Sequence, residues 1–379
     1  MLSMDLESSF VKAGTQLVEF SLSTTGFRDP TRSNMGLARF IGTPSLRVLH
    51  IDSSSLAHQI FIVQKSLHDE RLQGLGITEL HIPFPCADTR YLIDFLNQTP
   101  SLHIMELSNV QHHSPSDPLP NFDHLLPASL PNLTEVACTP PLLPHFFLPQ
   151  GRRPVRTVRI HNSHNSQGTG RIMVDEEILY TVEEMVPSLE QIKASKVQEL
   201  EMPYSPQVAQ ILPKYAGGLK ALSLYSGEYP TEFAVTQLST ALDEPLKVTT
   251  FTYFVTDTND FLPDIDLVEQ HQQVMLLAST ALPFATTIRL SPDVKWRRRA
   301  ESDVRDLNMG PWRAVISDHY KVKCALIQMA TGRINFDFSD YEGVLESLFR
   351  QDEMTDGLRQ LFLPGSQVSS NPATDPYAT

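Results

Sequence analysis

Cysteine is nearly absent. Cys86, Cys138 and Cys324 are the only three in 379 residues, too few and too scattered for a disulfide framework or a tetrahedral zinc site, so a reducing compartment, cytoplasmic or nuclear, is expected. Positive charge is in deficit too: 30 Lys and Arg stand against 44 Asp and Glu, a formal net charge of −14. That balance argues against binding nucleic acid or an anionic membrane by electrostatics. Long apolar runs are missing as well. The richest stretch, 274–285, is broken by Ser279, Thr280 and Pro283 and falls short of the about 20 residues a membrane span needs. The opening Met1-Leu2-Ser3-Met4-Asp5-Leu6-Glu7 is acidic where a leader would be basic, so no export is expected. At 41% hydrophobic residues the chain can still bury a large core, and its length is near the limit for one compact globule, which leaves two domains or an elongated array.

Catalytic and cofactor motifs are also lacking. No Gly-x-Ser-x-Gly occurs, and Gly168-Thr169-Gly170 and Gly217-Gly218 lack the full dinucleotide or phosphate-loop pattern and read as turns. His112, His113, His161 and His164 lie in or near loops, and imidazole is a common zinc ligand. His161-Asn162-Ser163-His164 has no nearby Cys or carboxylate, however, and there is no His-Glu-x-x-His or Cys-x-x-Cys. Solvated loop histidines are the better reading, with a metal-dependent hydrolase using His161 or His164 as a remote alternative. No enzyme, cofactor or metal is expected.

What the sequence does have is repetition. A phrase of the form L-x-x-L-x-L, with apolar substitutes, recurs nine times: Leu46/Leu49/Ile51, Ile77/Leu80/Ile82, Leu102/Met105/Leu107, Leu133/Val136/Cys138, Val155/Val158/Ile160, Val197/Leu200/Met202, Leu219/Leu222/Leu224, Val248/Phe251/Tyr253 and Ala285/Ile288/Leu290. The first intervals, 31, 25, 31 and 22 residues, lie at or just beyond the spacing of ordinary leucine-rich repeats. The last two apolar positions alternate with one other residue, which predicts a half-buried strand. Leu189, Ile192 and Ala194 form a tenth match only eight residues before Val197, too close for both to be repeats.

Between phrases the apolar period lengthens to about 3.6, predicting helix faces. Examples are Leu56/Ile60/Val63/Leu67, Tyr91/Leu92/Phe95/Leu96, Ile178/Leu179/Val182/Met185/Val186, Val208/Ile211/Leu212, Val235/Leu238/Leu242 and Leu267/His271/Val274/Leu277/Ala278. Asp88, Ser205 before Pro206, and Thr231 are candidate N-caps. Prolines, 28 against 17 glycines, stand just before several phrases and stop the helices. The expected fold is α/β: an irregular leucine-rich-repeat solenoid with a curved parallel sheet on its concave face and helices on its convex face. Residues 108–128 and 139–154, rich in proline, should have irregular backing. The division expected is an N-terminal cap over 1–40, the solenoid over 41–290, a mixed C-terminal cap over 291–363 and a disordered tail over 364–379.

Thr43-Pro44-Ser45-Leu46-Arg47-Val48-Leu49-His50-Ile51 and Val186-Pro187-Ser188-Leu189-Glu190-Gln191-Ile192 carry a further likeness. With such Pro-Ser-Leu lead-ins, roughly residues 40–290 resemble the irregular leucine-rich-repeat half of fungal F-box proteins. The resemblance implies recognition of a protein substrate for a ubiquitin ligase, with an adaptor of the ligase as second partner. Residues 1–40 contain no Leu-Pro-x-Glu motif, so the adaptor-binding role maps onto no residue here. A leucine-rich-repeat scaffold unconnected with ubiquitination is the alternative, because fold does not imply function.

In such a solenoid the residue between the last two apolar positions projects from the concave sheet. The candidate partner-binding row is therefore His50, His81, Glu106, Ala137, Arg159, Glu201, Ser223, Thr252 and Arg289. Arg159 and Arg289 are the first choices as anchors, with His81 and Glu201 next, since buried aromatic or Arg residues dominate interfaces. The bland alternative is a solvated strand face. Lys295-Trp296-Arg297-Arg298-Arg299, the one basic cluster, is followed closely by Glu301, Asp303 and Asp306, which partly neutralise it; it reads as a solvated helix face or else as a nuclear-import or acidic-partner patch.

Overall fold

The computed structural model of the protein describes residues 18–22, 45–52, 57, 60–62, 75–84, 89–108, 122, 124–147, 153–161, 163–164, 177–178, 180–227, 229–242, 244–255, 267–298 and 311–317. Each of the nine repeated phrases forms one strand of a single sheet. They are β2 (Val48–Ile51), β3 (Glu79–Pro83), β4 (Ile104–Ser108), β5 (Glu135–Cys138), β6 (Thr157–Ile160), β9 (Glu199–Pro203), β10 (Ala221–Ser226), β11 (Thr250–Val255) and β12 (Thr287–Ser291). β1 (Glu19–Leu22) precedes them, and β13 (Val294–Arg298) and β14 (Trp312–Ile316) follow. The sheet has 12 strands in strict chain order, while β7 (Ser163–His164) and β8 (Glu177–Ile178) form a separate small hairpin. Pairing is parallel from β1 to β12, and β13 and β14 close the series antiparallel. The architecture is α/β, with the sheet extending on both sides of the 41–290 span.

The phrase dictates this arrangement. Its three apolar positions are buried in all nine copies, none more than 4% exposed, and they belong to one core together with the helix faces. A buried Leu or Ile side chain stabilises by about 1.5–3 kcal/mol, so slipping a strand by one residue would expose its whole apolar set. A second device fixes the strand starts. The carbonyl of the residue just before one strand accepts two N–H groups from the start of the next, at Val18, Arg47, Thr78, His103, Thr134, Arg156, Gln198, Lys220 and Thr249 in turn. At Thr78, Thr134, Thr249 and Thr286 the threonine hydroxyl also donates to the preceding carbonyl of that series.

Helices cover the buried face of the sheet. α1 (Thr89–Asn97) buries Leu92, Ile93, Phe95 and Leu96. α2 (Val182–Ser195), α3 (Pro206–Tyr215), α4 (Thr231–Ala241) and α5 (Leu267–Ser279) pack each against the next. Of the expected Leu56/Ile60/Val63/Leu67 face after β2 only Ile60 is described; it is buried and, with Ala57, Phe61 and Ile62, helical. Between β5 and β6 a 3-10 turn, Leu143–Phe146, replaces a helix. There Arg153, 3% exposed, donates to the carbonyls of Leu126, Ser129, His145 and Phe146 at 3.2–3.3 Å. Its planar fork gathers four carbonyls onto one side chain, of which that of Leu126 also accepts from the Ser129 N–H and hydroxyl, and burial pulls the guanidinium down to about 10.

Four expectations require correction. Val186-Pro187-Ser188-Leu189-Glu190-Gln191-Ile192, read as a strand lead-in, lies inside α2. A capping box at Thr181 and Glu184 starts that helix, and Met185, Ser188, Leu189 and Ile192 bury one face at helical spacing. Pro187 is tolerated because it sits on the exposed side, where water can satisfy the carbonyl it leaves unbonded. Ile178 lies in β8, ahead of the helix. Thr231 is the first helical residue and Pro230 the N-cap; Ser205 is an N-cap whose hydroxyl donates to Gln207 Oε1 instead of accepting from the backbone. Lys295 to Arg298 form a strand, not a helix: Val294 and Trp296 alternate inward with Lys295 and Arg297 outward. Asp88, Gly168-Thr169-Gly170, His112, His113 and everything from residue 318 onward lie outside the described residues.

Candidate functional site on the open sheet face

The face of the sheet opposite the core carries the polar residues that alternate with the apolar ones. Register places the nine residues His50, His81, Glu106, Ala137, Arg159, Glu201, Ser223, Thr252 and Arg289 side by side as direct cross-strand partners. Ser21 extends this row on β1, and Lys295 and Val315 extend it on β13 and β14. Strands about 4.8 Å apart make it a continuous line across the sheet. Its members differ in exposure: His50 and Glu201 are exposed, His81, Glu106, Arg159, Ser223 and Arg289 half-buried, and Ala137 and Thr252 buried.

The central stretch is a compensated charge network. His81 Nδ1 donates to Glu106 Oε2 at 2.9 Å, and His50 stacks on His81 with ring centroids 5.8 Å apart. His161 Nε2 stands 3.6 Å from Glu106 Oε1. Arg159 Nη2 donates to Glu135 Oε1 at 2.8 Å, with its Nε 4.0 Å from Glu201 Oε2, and Thr157 Oγ1 donates to Glu199 Oε2 at 3.2 Å. Ala137 makes this possible: a methyl group between Glu106 and Arg159 leaves room for long side chains of β4 and β6 to lean toward each other, which is why Ala137 is only 2% exposed on an open face. The hydrogen bond to Glu106 holds His81 above its ordinary value of 6.5, with Glu79 and Glu135 adding to the effect against desolvation. The same bond, with the positive charges of His161, His81 and Arg159, holds the Glu106 carboxyl below its ordinary value.

Reasoning from the phrase found the central row and missed its neighbours. Glu79, Glu135 and Glu199 lie two residues earlier on the same face, in a parallel row with Val48, Ile104, Thr157, Ala221, Thr250 and Thr287. Extending the alternation one step toward each strand start would have found them. His161, a loop histidine in the sequence, is brought beside Glu106 because it directly follows β6. Arg289 is braced: Nε donates to Ser291 O at 3.3 Å, Nη2 donates to Pro292 O, and the guanidinium lies over the Phe254 ring, 5.2 Å from its centroid.

Among the described residues no group of three or more His, Cys, Asp or Glu could hold a metal ion. Cys138 is a buried thiol whose pKa burial pushes up, the opposite of an activated nucleophile. No described helix is long and apolar enough to cross a membrane. No family model matches the chain, and no curated protein matches it either.

Proposed function

We propose that this chain is a non-catalytic protein-recognition module, an irregular leucine-rich-repeat solenoid that binds another protein across its open sheet face. The observation that carries the reading is the single register row from His50 to Arg289, on the face opposite the one that the described helices cover. Strands added in chain order each present one residue of this row, polar on every strand but β5 with its Ala137, and such a surface suits a partner that makes many small contacts around a few anchors. The geometry offers a partner fixed charges and hydrogen-bonding groups and, among the described residues, no activated nucleophile or metal cluster.

The partner follows from the resemblance to the substrate-recognition half of fungal F-box proteins. On that reading it is a ubiquitin-ligase substrate, met in the cytoplasm or nucleus, with an adaptor bound elsewhere on the chain. Tagged protein purified from its native cells, followed by mass spectrometry, tests this. Co-purification of an F-box adaptor and cullin is the expected result; a stable set of partners without them makes the chain a scaffold outside the ligase. The open face itself is tested by the double charge reversal Arg159→Glu with Glu201→Arg, which keeps net charge constant. Loss of the same partners with unchanged thermal unfolding supports the face as the binding surface, and retention of all of them rejects it.

A further inference from the structure

The open face is not uniform in charge. From β3 to β9 it carries Glu79, Glu106, Glu135, Glu199 and Glu201 around Arg159 and the histidines, and the described contacts pair several of these groups with one another. On β10 and β11 the open-face residues are neutral: Ala221, Ser223, Tyr225, Thr250, Thr252 and Phe254. On β12 to β14 the sign reverses. Arg289 pairs in register with Lys295, and Arg297 with Arg313, all four on the open face. With strands about 4.8 Å apart and alternate residues about 7 Å apart along a strand, four cations share a patch of roughly 10 Å by 7 Å.

Nothing described on the face balances them. Lys295, Arg297 and Arg313 form no ion pair among the described residues, in contrast to Arg159 with Glu135 at 2.8 Å. Asp293, in the turn between β12 and β13, accepts a hydrogen bond from Ser317 at 2.6 Å. Arg297 and Arg313 are exposed, Lys295 half-buried, and Arg289 donates to the carbonyls of Ser291 and Pro292 with its guanidinium over the Phe254 ring. A braced guanidinium loses little freedom when it binds a carboxylate, and its planar donors suit a bidentate contact.

We infer that the β12–β14 end of the open face is a docking surface for an acidic protein segment, one that brings three or four carboxylates onto Arg289, Lys295, Arg297 and Arg313. This rests on the reading of the chain as a protein-recognition module and adds the chemistry of the partner. Charge complementarity selects the occupant. A nucleic-acid strand would also supply negative charge, but it would run on toward Glu199 and Glu201 on a chain of net charge −14, where its phosphates are repelled. A short acidic segment fits the confined patch and stops at the neutral strands.

Fluorescence anisotropy of the full chain tests the inference. The probes are a labelled 12-residue peptide rich in Asp and Glu, a basic peptide of the same length and a 12-nucleotide single-stranded RNA. Saturable binding of the acidic peptide, weakened at least about tenfold by Arg297→Glu with Arg313→Glu, is expected. Lys220→Glu with Lys247→Glu, an equal charge change at the starts of β10 and β11, should shift it less than about twofold. Equal losses in the two double variants, tighter binding of the RNA, or no saturable peptide binding would overturn it. Arg313→Gln guards against a folding artefact: it should weaken the peptide while leaving the thermal midpoint unchanged or raised, because it removes one charge from a like-charged cluster. If the Arg159/Glu201 reversal abolishes capture of native partners while the Arg297/Arg313 variant retains them, the open-face reading stands and the acidic-segment inference fails.

Discussion

Among the described residues between β4 and β6, turns and one buried arginine back the strands, whereas from β9 to β12 a helix follows each of β9, β10 and β11. The open-face row does not register the change. Glu106, Ala137 and Arg159 on the irregular side align as directly as Glu201, Ser223 and Thr252 on the helical side. What every unit must supply is an apolar layer under its strand and a partner for each buried carbonyl, since an unmet buried acceptor costs about 1–3 kcal/mol. A helix meets that need through its own backbone, many small bonds shared over ten or more residues. The irregular side concentrates it in Arg153, so damage there is localised and severe.

Substitutions on the two sides should sharpen that contrast. Arg153→Ala removes four carbonyl partners at once and should lower unfolding free energy by about 3 kcal/mol or more; Arg153→Lys, lacking the planar fork, should recover only part of the loss. Chemical denaturation measures both, and a loss under about 1 kcal/mol for the alanine variant would break the comparison. Ser188→Ala comes next. Its hydroxyl donates to Pro140 O at 2.7 Å and ties α2 to the irregular segment in a buried setting, so about 1–2 kcal/mol is expected in the same assay. Thr181→Ala, which opens the capping box of α2, should cost about 1 kcal/mol, visible as a lower thermal midpoint.

The smallest effect is the pH response of His81. Its folded pKa is raised by Glu106, so the stabilisation is fully present below the unfolded value near 6.5 and is lost as pH rises through the folded value. Glu106, lowered by His81, contributes above its own ordinary value and loses that contribution as pH falls through the folded one. The pair therefore stabilises most in mildly acidic solution. Because both groups are partly exposed, the gain should stay under about 1 kcal/mol. Thermal unfolding of the wild type against His81→Gln should differ more at pH 6 than at pH 8; a difference independent of pH would exclude the ion pair as its source.

The strands and the central row were legible because one phrase encodes both. Period-two alternation sets which residues face the core, and repeating the same phrase with the same offset sets the register. The row two residues earlier, Glu79, Glu135 and Glu199, follows the same rule and needed only one more step of it. Threonine after the first apolar position, at Thr78, Thr134, Thr249 and Thr286, was a readable mark of the strand starts. Other features depend on competition that a short pattern does not display. Pro187-Ser188-Leu189 has the composition of a strand lead-in, but the capping box that opens at Thr181, six residues upstream, commits the segment to a helix first. Arg153 looks like any basic residue in a proline-rich loop, and only the convergence of four distant carbonyls gives it a structural role. For 295–298 the run of bases masked an alternation of Val294 and Trp296 that is plain once the arginines are read as facing outward.

Strict chain order of the strands also bears on how the molecule forms. From β2 to β12, each strand pairs with a neighbour whose repeat phrase lies between 22 and 42 residues away. Closing loops that differ by less than a factor of two differs by less than about 0.6 kcal/mol in entropy, so no single pairing is much harder to reach than another. Assembly can therefore begin wherever local packing is strongest, as in the helix-backed strands, and zip outward in both directions one unit at a time.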